Sequence, residues 1–354
     1  MKNKILVFAF IIYIGVFSIL SVIIPDKKIS YTERRKLNEF PNFEFTSSWI
    51  NDVDKYLLDH FIFRDDFRSI KAYYNFEILN RFDNNGIYLK DNYIFKSIYP
   101  TNKDSVLNFK EKINKISTLF SENNNVYFIL IPDKNYYLNS EDFLHIDYNY
   151  IFYEINKLPF KNIYIKDLLE LSDYYQTDTH WKQEKLNKVI KKMSDEMNFK
   201  YEVIQYEECV YDQFRGVYYG ESAIKRESEK LIYLQNETLN KVLVKYLEND
   251  KFYGIYNKMK LVGIDSYDVY LDGASSFIEI FNSNATSNKE LVIFRDSFGS
   301  SLAPLLVNYY KKITLIDNRY ISSDIFSNMI KFTDQDILIM YSTLLINDSS
   351  SLKG

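Results

Sequence analysis

The sequence predicts an α/β fold: a parallel sheet flanked by helices, preceded by an N-terminal transmembrane helix and carrying an inserted α+β region. Three observations predict it. Toward the C-terminus, short apolar runs alternate three times with helical segments: LVIF (Leu291 to Phe294), ITLI (Ile313 to Ile316) and DILIMY (Asp336 to Tyr341). Strands covered on both faces by crossover helices read as continuous apolar runs of this kind. A further run, VYFILI (Val126 to Ile131), follows a stretch with helical periodicity, and an uncharged apolar segment opens the chain.

Taken in order, residues 1–25 come first. Ile5 to Ile24 carries no charge, is long enough as a helix to cross the ~30 Å of membrane hydrocarbon, and is stopped by Pro25. No small-x-small cleavage site precedes Pro25, so a signal anchor is expected rather than a removable leader. Lys2 and Lys4 on one flank and Lys27, Lys28, Arg34, Arg35 and Lys36 on the other leave the charge rule undecided; the scarcity of cysteine suits a body outside the cell. Residues 26–100 read as a juxtamembrane connector and an N-terminal helical segment, in which the periodic stretch Trp49 to Leu79 is interrupted by DHFIFRDDFR. Residues 101–354 read as the α/β domain. Val106, Phe109, Ile113, Ile116 and Phe120 form one helical stripe, NIYI (Asn162 to Ile165) is a second strand, and Leu186, Val189, Ile190, Met193 and Met197 mark another helix. Helices are also expected through SLAPLLVNYY and over Ile321 to Phe332. The stretch at about 199–285, rich in Tyr, Lys, Glu and Asn, reads as an insertion.

Composition excludes several classes. With 9 Gly and 6 Pro among 354 residues and 17% aromatics, the chain is neither linker-like nor disordered. One cysteine, Cys209, makes no intrachain disulfide or cysteine zinc site, and three histidines leave little for a His-rich metal centre, so no metal and no cofactor is expected. A net charge of −4 lacks the footprint of a nucleic-acid binder.

In open α/β sheets ligands bind beyond the carboxyl ends of the strands. Two segments occupy such places, Pro132-Asp133-Lys134 and Arg295-Asp296-Ser297-Phe298-Gly299. A serine where a strand turns into a helix exposes its hydroxyl beside the helix's first unpaired amides, as a nucleophile and its oxyanion require. The competing reading is that Asp296 or Ser297 merely caps the helix. Asp178-Thr179-His180-Trp181 is the second feature: residues two apart in an extended segment share a side, so Asp178 can orient one imidazole nitrogen of His180 while the other meets a substrate. Its competing reading is a structural histidine beside a packed tryptophan. His145, with Asp147 two residues on, is a reserve candidate; His60 lies in the charged helical segment. Trp181 and Phe298 either wall the site or pack in the core.

Asp178-Thr179-His180-Trp181 followed by Arg295-Asp296-Ser297-Phe298-Gly299 resembles the DHHW family and its relatives, the alginate O-acetyltransferases, which are SGNH hydrolase-like proteins of bacteria. Glu33 to Leu37 with Phe40-Pro41, Phe61 to Phe67, Pro132-Asp133-Lys134, Gly216 to Tyr219 and Asp317 to Tyr320 fall in the order of that group. The resemblance implies an SGNH hydrolase-like fold and a triad of Ser297, His180 and Asp178. Thr179 stands in place of the family's first histidine, and Arg295 in place of the usual glycine, where it is a candidate for an anionic or sugar ligand. Oxyanion donors are expected from the Ser297 amide and from the loops at Asn318 and Tyr341-Ser342. The implied activity is serine O-acylation of a cell-surface or secreted polysaccharide, as in exopolysaccharide biosynthesis. The implied setting is a cell membrane crossed once with the catalytic domain outside, and a membrane-bound O-acyltransferase partner supplying acetyl. A carbohydrate esterase with the same triad and a non-catalytic glycan-binding or scaffold protein are the alternatives.

Overall fold

A computed structural model describes residues 2–138, 143–247, 252–285 and 287–353. The chain forms two compact units, Met1–Tyr88 with Val217–Glu227, and Leu89–Gly216 with Ser228–Gly354.

The first unit begins with α1 (Lys2–Ile23). Its Lys4–Ser21 window has a mean hydropathy of 2.3, so the helix is long and apolar enough to cross a membrane. A short antiparallel ribbon, Ile29–Ser30 with Arg35–Lys36, leads to α2 (Ser47–His60), whose first turn is capped by Thr46 accepting from the Trp49 amide. The interruption expected at DHFIFRDDFR is real: α2 ends at His60, Phe63 adopts a left-handed φ of 58°, and α3 (Arg64–Tyr73) starts anew before passing into a π-turn at Tyr74–Ile78. An ionic hub fixes this arrangement. Glu33 lies 2.6 Å from Arg64, 3.0 Å from Arg35 and 3.4 Å from Arg68. Burial pushes the Glu33 carboxyl up, but these three guanidinium groups outweigh it and hold it below its usual range. The short helix Val217–Ser222 packs on the ribbon so closely that a Cβ at Gly220 would lie 1.7 Å from the Thr32 carbonyl oxygen.

The second unit is built on an eight-stranded sheet among the described residues. Its strands are β1 (Asn125–Ile131), β2 (Lys161–Asn162), β3 (Leu243–Tyr246), β4 (Phe252–Tyr253), β5 (Phe277–Phe281), β6 (Glu290–Arg295), β7 (Lys312–Ile316) and β8 (Asp336–Ser342), in the spatial order β4-β3-β5-β7-β6-β8-β1-β2. From β7 through β2 the neighbours are parallel; β5, β3 and β4 extend the sheet antiparallel beyond β7. The continuous apolar runs are explained by burial on both faces. Ile129, Ile131, Leu291, Ile293, Leu338 and Met340 enter one core with α6 (Asn187–Met197) and α7 (Phe298–Leu306). Their neighbours Phe128, Leu130, Val292, Phe294, Ile337 and Ile339 enter the opposite core with α4 (Lys103–Ser117) and α5 (Tyr148–Ile155). This is the parallel, helix-flanked α/β fold expected from the sequence.

Details differ. Of NIYI only Asn162 is strand, although Ile163 and Ile165 are buried in the core. The helix expected over Ile321 to Phe332 shrinks to Ser323–Phe326; Ile321 and Phe326 are buried and Ile330 and Phe332 pack against the same core, while Ile325 and Met329 stay exposed. The stretch at 199–285, of which residues 248–251 lie outside the described residues, supplies a hairpin (Glu207–Phe214 with Glu229–Gln235) and strands β3 to β5; its residues 217–227 belong to the first unit.

Candidate active site at the carboxyl edge of the sheet

Ser297 stands two residues beyond the end of β6, at the start of α7. Asp296 supplies the cap: its Oδ1 accepts from the Phe298 amide at 3.0 Å and its Oδ2 from the Ser342 amide at 2.8 Å, tying the turn to the end of β8. Ser297 makes no side-chain cap bond. Its Oγ instead lies 2.7 Å from His180 Nε2.

His180 sits on a narrow loop. Tyr174 bridges to Trp181, the Tyr175 amide donates to the His180 carbonyl at 3.0 Å, and the Lys182 amide donates to the Asp173 carbonyl at 2.7 Å. The extended segment assumed for Asp178 and His180 is in fact a bend, in which Asp178 Oδ1 accepts from the His180 backbone amide at 3.1 Å while lying 2.6 Å from Nδ1. The shared oxygen fixes the imidazole relative to its own backbone. A carboxylate at Nδ1 favours the Nδ1–H tautomer, leaving Nε2 free to accept from the serine hydroxyl. Asp178 is 1% and His180 8% exposed, whereas Ser297 is less deeply buried.

Residues from distant parts of the chain hold this loop. Lys134, fully buried, donates to the carbonyls of Tyr175, Gln176 and Asp178 at 3.1, 3.1 and 2.7 Å. Burial pulls its ammonium down to about 7, against the opposing pull of Asp178, Glu229 and Asp133. The Glu229 carboxylate accepts from the amides of Gln176 at 2.8 Å and Thr177 at 2.7 Å. The Gly216 amide donates to Thr177 Oγ1 at 2.8 Å, and a Cβ there would lie 2.3 Å from both the Asp178 Cβ and the Thr177 carbonyl oxygen, so only glycine fits. Tyr267 stacks on the imidazole, centroids 3.8 Å apart and planes 8° from parallel, and donates to Ser301 Oγ at 2.8 Å. Ser301 also accepts from Trp181 Nε1 at 2.9 Å.

The other sequence candidates lie in the interior. Arg295, 1% exposed, donates to Ser300 Oγ at 3.1 Å and lies 3.7 Å from Asp317, so the residue standing where glycine was expected is turned into the protein rather than toward a ligand. Asn318 and Tyr341 are fully buried and face each other, with Tyr341 Oη 3.4 Å from Asn318 Oδ1; the Ser342 amide is occupied by Asp296. Trp181 is a buried support, packed edge-on against Phe298. His145 turns its Nδ1 to the Ile146 carbonyl, and Asp147 caps α5 instead of pairing with it. His60 lies in the first unit against the Asn38 carbonyl. Asp133, in the motif after β1, accepts from Thr343 Oγ1 and Tyr148 Oη, while burial raises its carboxyl. Among the described residues no group of His, Cys, Asp and Glu is placed to hold a metal ion.

Tyr267 and Glu229 were missed by sequence reasoning, and nothing local marks them. Lys134 closes the Pro132-Asp133-Lys134 segment and Gly216 opens Gly216 to Tyr219, but their contacts with the histidine loop emerge only from the fold.

No protein-family model and no curated protein matches the sequence. Solved structures do. A DHHW family protein from Eubacterium siraeum superposes with a TM-score of 0.63 at 20% identity, covering 77% of this chain and 97% of that one. Bacillus cereus PatB1, determined with a sulfonyl adduct, gives 0.56 at 20% identity, covering 73% and 97%. The O-acetyltransferase domain of Pseudomonas putida AlgJ gives 0.40 at 8% identity, covering 74% and 92%. The first two share the fold of this chain.

Proposed function

We propose that this protein is a membrane-anchored, extracytoplasmic serine O-acyltransferase that acetylates a cell-surface or secreted polysaccharide. The observation that carries the reading is the hydrogen-bonded line from Asp178 through His180 to Ser297, with 2.6 Å at one nitrogen of the imidazole and 2.7 Å at the other. Supporting it are the likeness of the Asp178–Trp181 and Arg295–Gly299 motifs to those of DHHW and alginate O-acetyltransferase proteins, the fold shared with PatB1, and the apolar helix α1 as anchor.

In the first half-reaction Ser297 Oγ attacks the carbonyl carbon of the acyl donor while its proton passes to His180 Nε2. Asp178 stabilises the resulting imidazolium and keeps its orientation. The oxyanion that forms meets the Ser297 amide, since the Phe298, Gly299 and Ser300 amides that open α7 are already taken by Asp296 and by the Ser297 carbonyl. Collapse expels the donor's leaving group with the proton from Nε2, and the acyl group rests on Ser297. A sugar hydroxyl then gives its proton to Nε2, attacks the ester carbon and leaves acylated, returning Ser297 to its hydroxyl. A membrane-bound O-acyltransferase partner would supply the acetyl group.

The test uses the full-length protein in detergent with 4-nitrophenyl acetate and an acetyl-free oligosaccharide. Acetylated oligosaccharide is expected by mass spectrometry, and its loss in both Ser297→Ala and His180→Ala. Free acetate as the sole product identifies an esterase; unchanged rates in both variants overturn the triad.

A further inference from the structure

We infer that the first unit touches the membrane with more than α1: the turn after α2 and the outer face of α3 and its π-turn lie in the lipid, with acyl chains as their partner. The inference rests on the reading of α1 as a membrane anchor.

Depth is the first argument. At 1.5 Å per residue the 22 residues of α1 measure about 33 Å, close to the ~30 Å of bilayer hydrocarbon. Phe17 lies six residues before the end of α1 at Ile23, hence about 9 Å inside that end. Its ring stacks on Phe61 at 5.8 Å and meets Phe67 at 6.0 Å, and those two rings touch each other at 5.8 Å. Where α1 spans, its partners at that level sit below the headgroups.

The second argument is the character of the segment itself. Phe63, at the tip of the turn, holds a left-handed φ of 58° and is 57% exposed. A bulky residue in that region is strained, and more than half of this one is left facing solvent. From Phe63 the residues Phe67, Ile70, Tyr74 and Ile78 follow at spacings of four, three, four and four, which is one face of a helix, and all are exposed, as are Leu57 and Leu58 on α2. Most of the charges between them are paired, while Glu77, exposed beside Ile78, lines a groove with Ile70, Asp66 and Lys225 at the edge of this face. Arg64 and Arg68 pair with Glu33, Asp65 lies 3.7 Å from Arg64, Asp66 pairs with Lys225 at 3.1 Å, and Lys71 reaches Asn85. An apolar face with charges at its flanks, running from a contact with a membrane-length helix, is the form of an interfacial helix.

The experiment places a nitroxide on the full-length protein in nanodiscs of phosphatidylcholine and phosphatidylglycerol. Phe63→Cys and Ile70→Cys are labelled separately in a Cys209→Ser background, with Ile14→Cys reporting the anchor and Lys200→Cys reporting water. Collision with oxygen and with a water-soluble nickel chelate gives depth. The expected result is nickel accessibility at positions 63 and 70 roughly fivefold or more below that at position 200, with oxygen accessibility high as at position 14. A deep Ile14 label with aqueous labels at 63 and 70 overturns the inference and leaves the anchor standing. Labels at 63 and 70 shielded from both reagents show a protein covering the face and overturn it as well. An aqueous Ile14 label removes the anchor reading and the inference with it.

Discussion

The two halves of the candidate site meet across 2.7 Å but are held in opposite ways. The serine turn is fixed by its immediate surroundings. β6 lies in register between β7 and β8, and Asp296 ties the turn to Phe298 beside it and to Ser342 at the end of the adjoining strand. The histidine loop owes its shape to side chains remote in sequence: Lys134 beneath it, Glu229 across its tip, Gly216 against Asp178 and Tyr267 over the imidazole. A nucleophile set in a sheet edge inherits the rigidity of the core. A base on a loop needs an assembled cradle, so substitutions far along the chain should disturb the base and leave the nucleophile in place.

The largest effect expected is at the orienting carboxylate itself. Asp178→Asn presents an amide to Nδ1 and favours the wrong tautomer, so the rate should fall on the order of 10⁴-fold with the melting temperature little changed; steady-state kinetics with 4-nitrophenyl acetate measures it, and a fall below tenfold would mean that Asp178 does not set the tautomer. Next comes Gly216→Ala. The new Cβ at 2.3 Å from the Asp178 Cβ must displace the loop, and a shift of about 1 Å at the base costs roughly 10²-fold in kcat. The comparison is sharpened if Gly216→Ala still reacts at Ser297 with a small sulfonyl reagent, only more slowly, and it breaks if the serine turn unfolds with it.

A smaller effect belongs to the stacked ring. Tyr267→Leu removes the flat face against His180, for which a loss of roughly tenfold is expected, while Tyr267→Phe keeps the stack and gives up only the bond to Ser301. Equal losses in the two would show that the hydroxyl, not the stack, holds the imidazole. The smallest effect is in stability against pH. Lys134 titrates near 7 when folded and at its ordinary 10.5 when unfolded. Between those values the unfolded chain binds more protons, so this group makes stability rise with pH; the burial cost is present in full below about 7 and relieved toward 10.5. The melting temperature of the wild type relative to Lys134→Met should therefore climb between pH 6 and pH 9 as scanned by calorimetry. A flat difference would mean that Lys134 carries no such shift.

The same contrast explains what the sequence discloses. β1, β6, β7 and β8 are legible because their central residues are buried on both faces and form nearly unbroken apolar runs, and the serine turn is legible because its strand, its aspartate and its helix are consecutive. Asp178 and His180 are legible by spacing alone, while the bend that joins them through one shared oxygen is not, since it depends on Lys134 gathering three carbonyls from below. Tyr267 and Glu229 are illegible because tyrosine and glutamate are common in that stretch and only tertiary folding brings them to the loop. Arg295 misleads for a related reason: its position beside Ser297 suggests a ligand contact, but the parity of β6 turns its side chain inward toward Ser300 and Asp317.

The central claim is that His180 activates Ser297 as a nucleophile. The direct measurement is intact-mass and peptide mapping of the full-length protein after brief exposure to an arylsulfonyl fluoride at neutral pH. A single adduct on the peptide bearing Ser297 is expected, absent in Ser297→Ala and slowed severely in His180→Ala. Modification at another residue, or equal labelling of Ser297 in His180→Ala, would contradict the account.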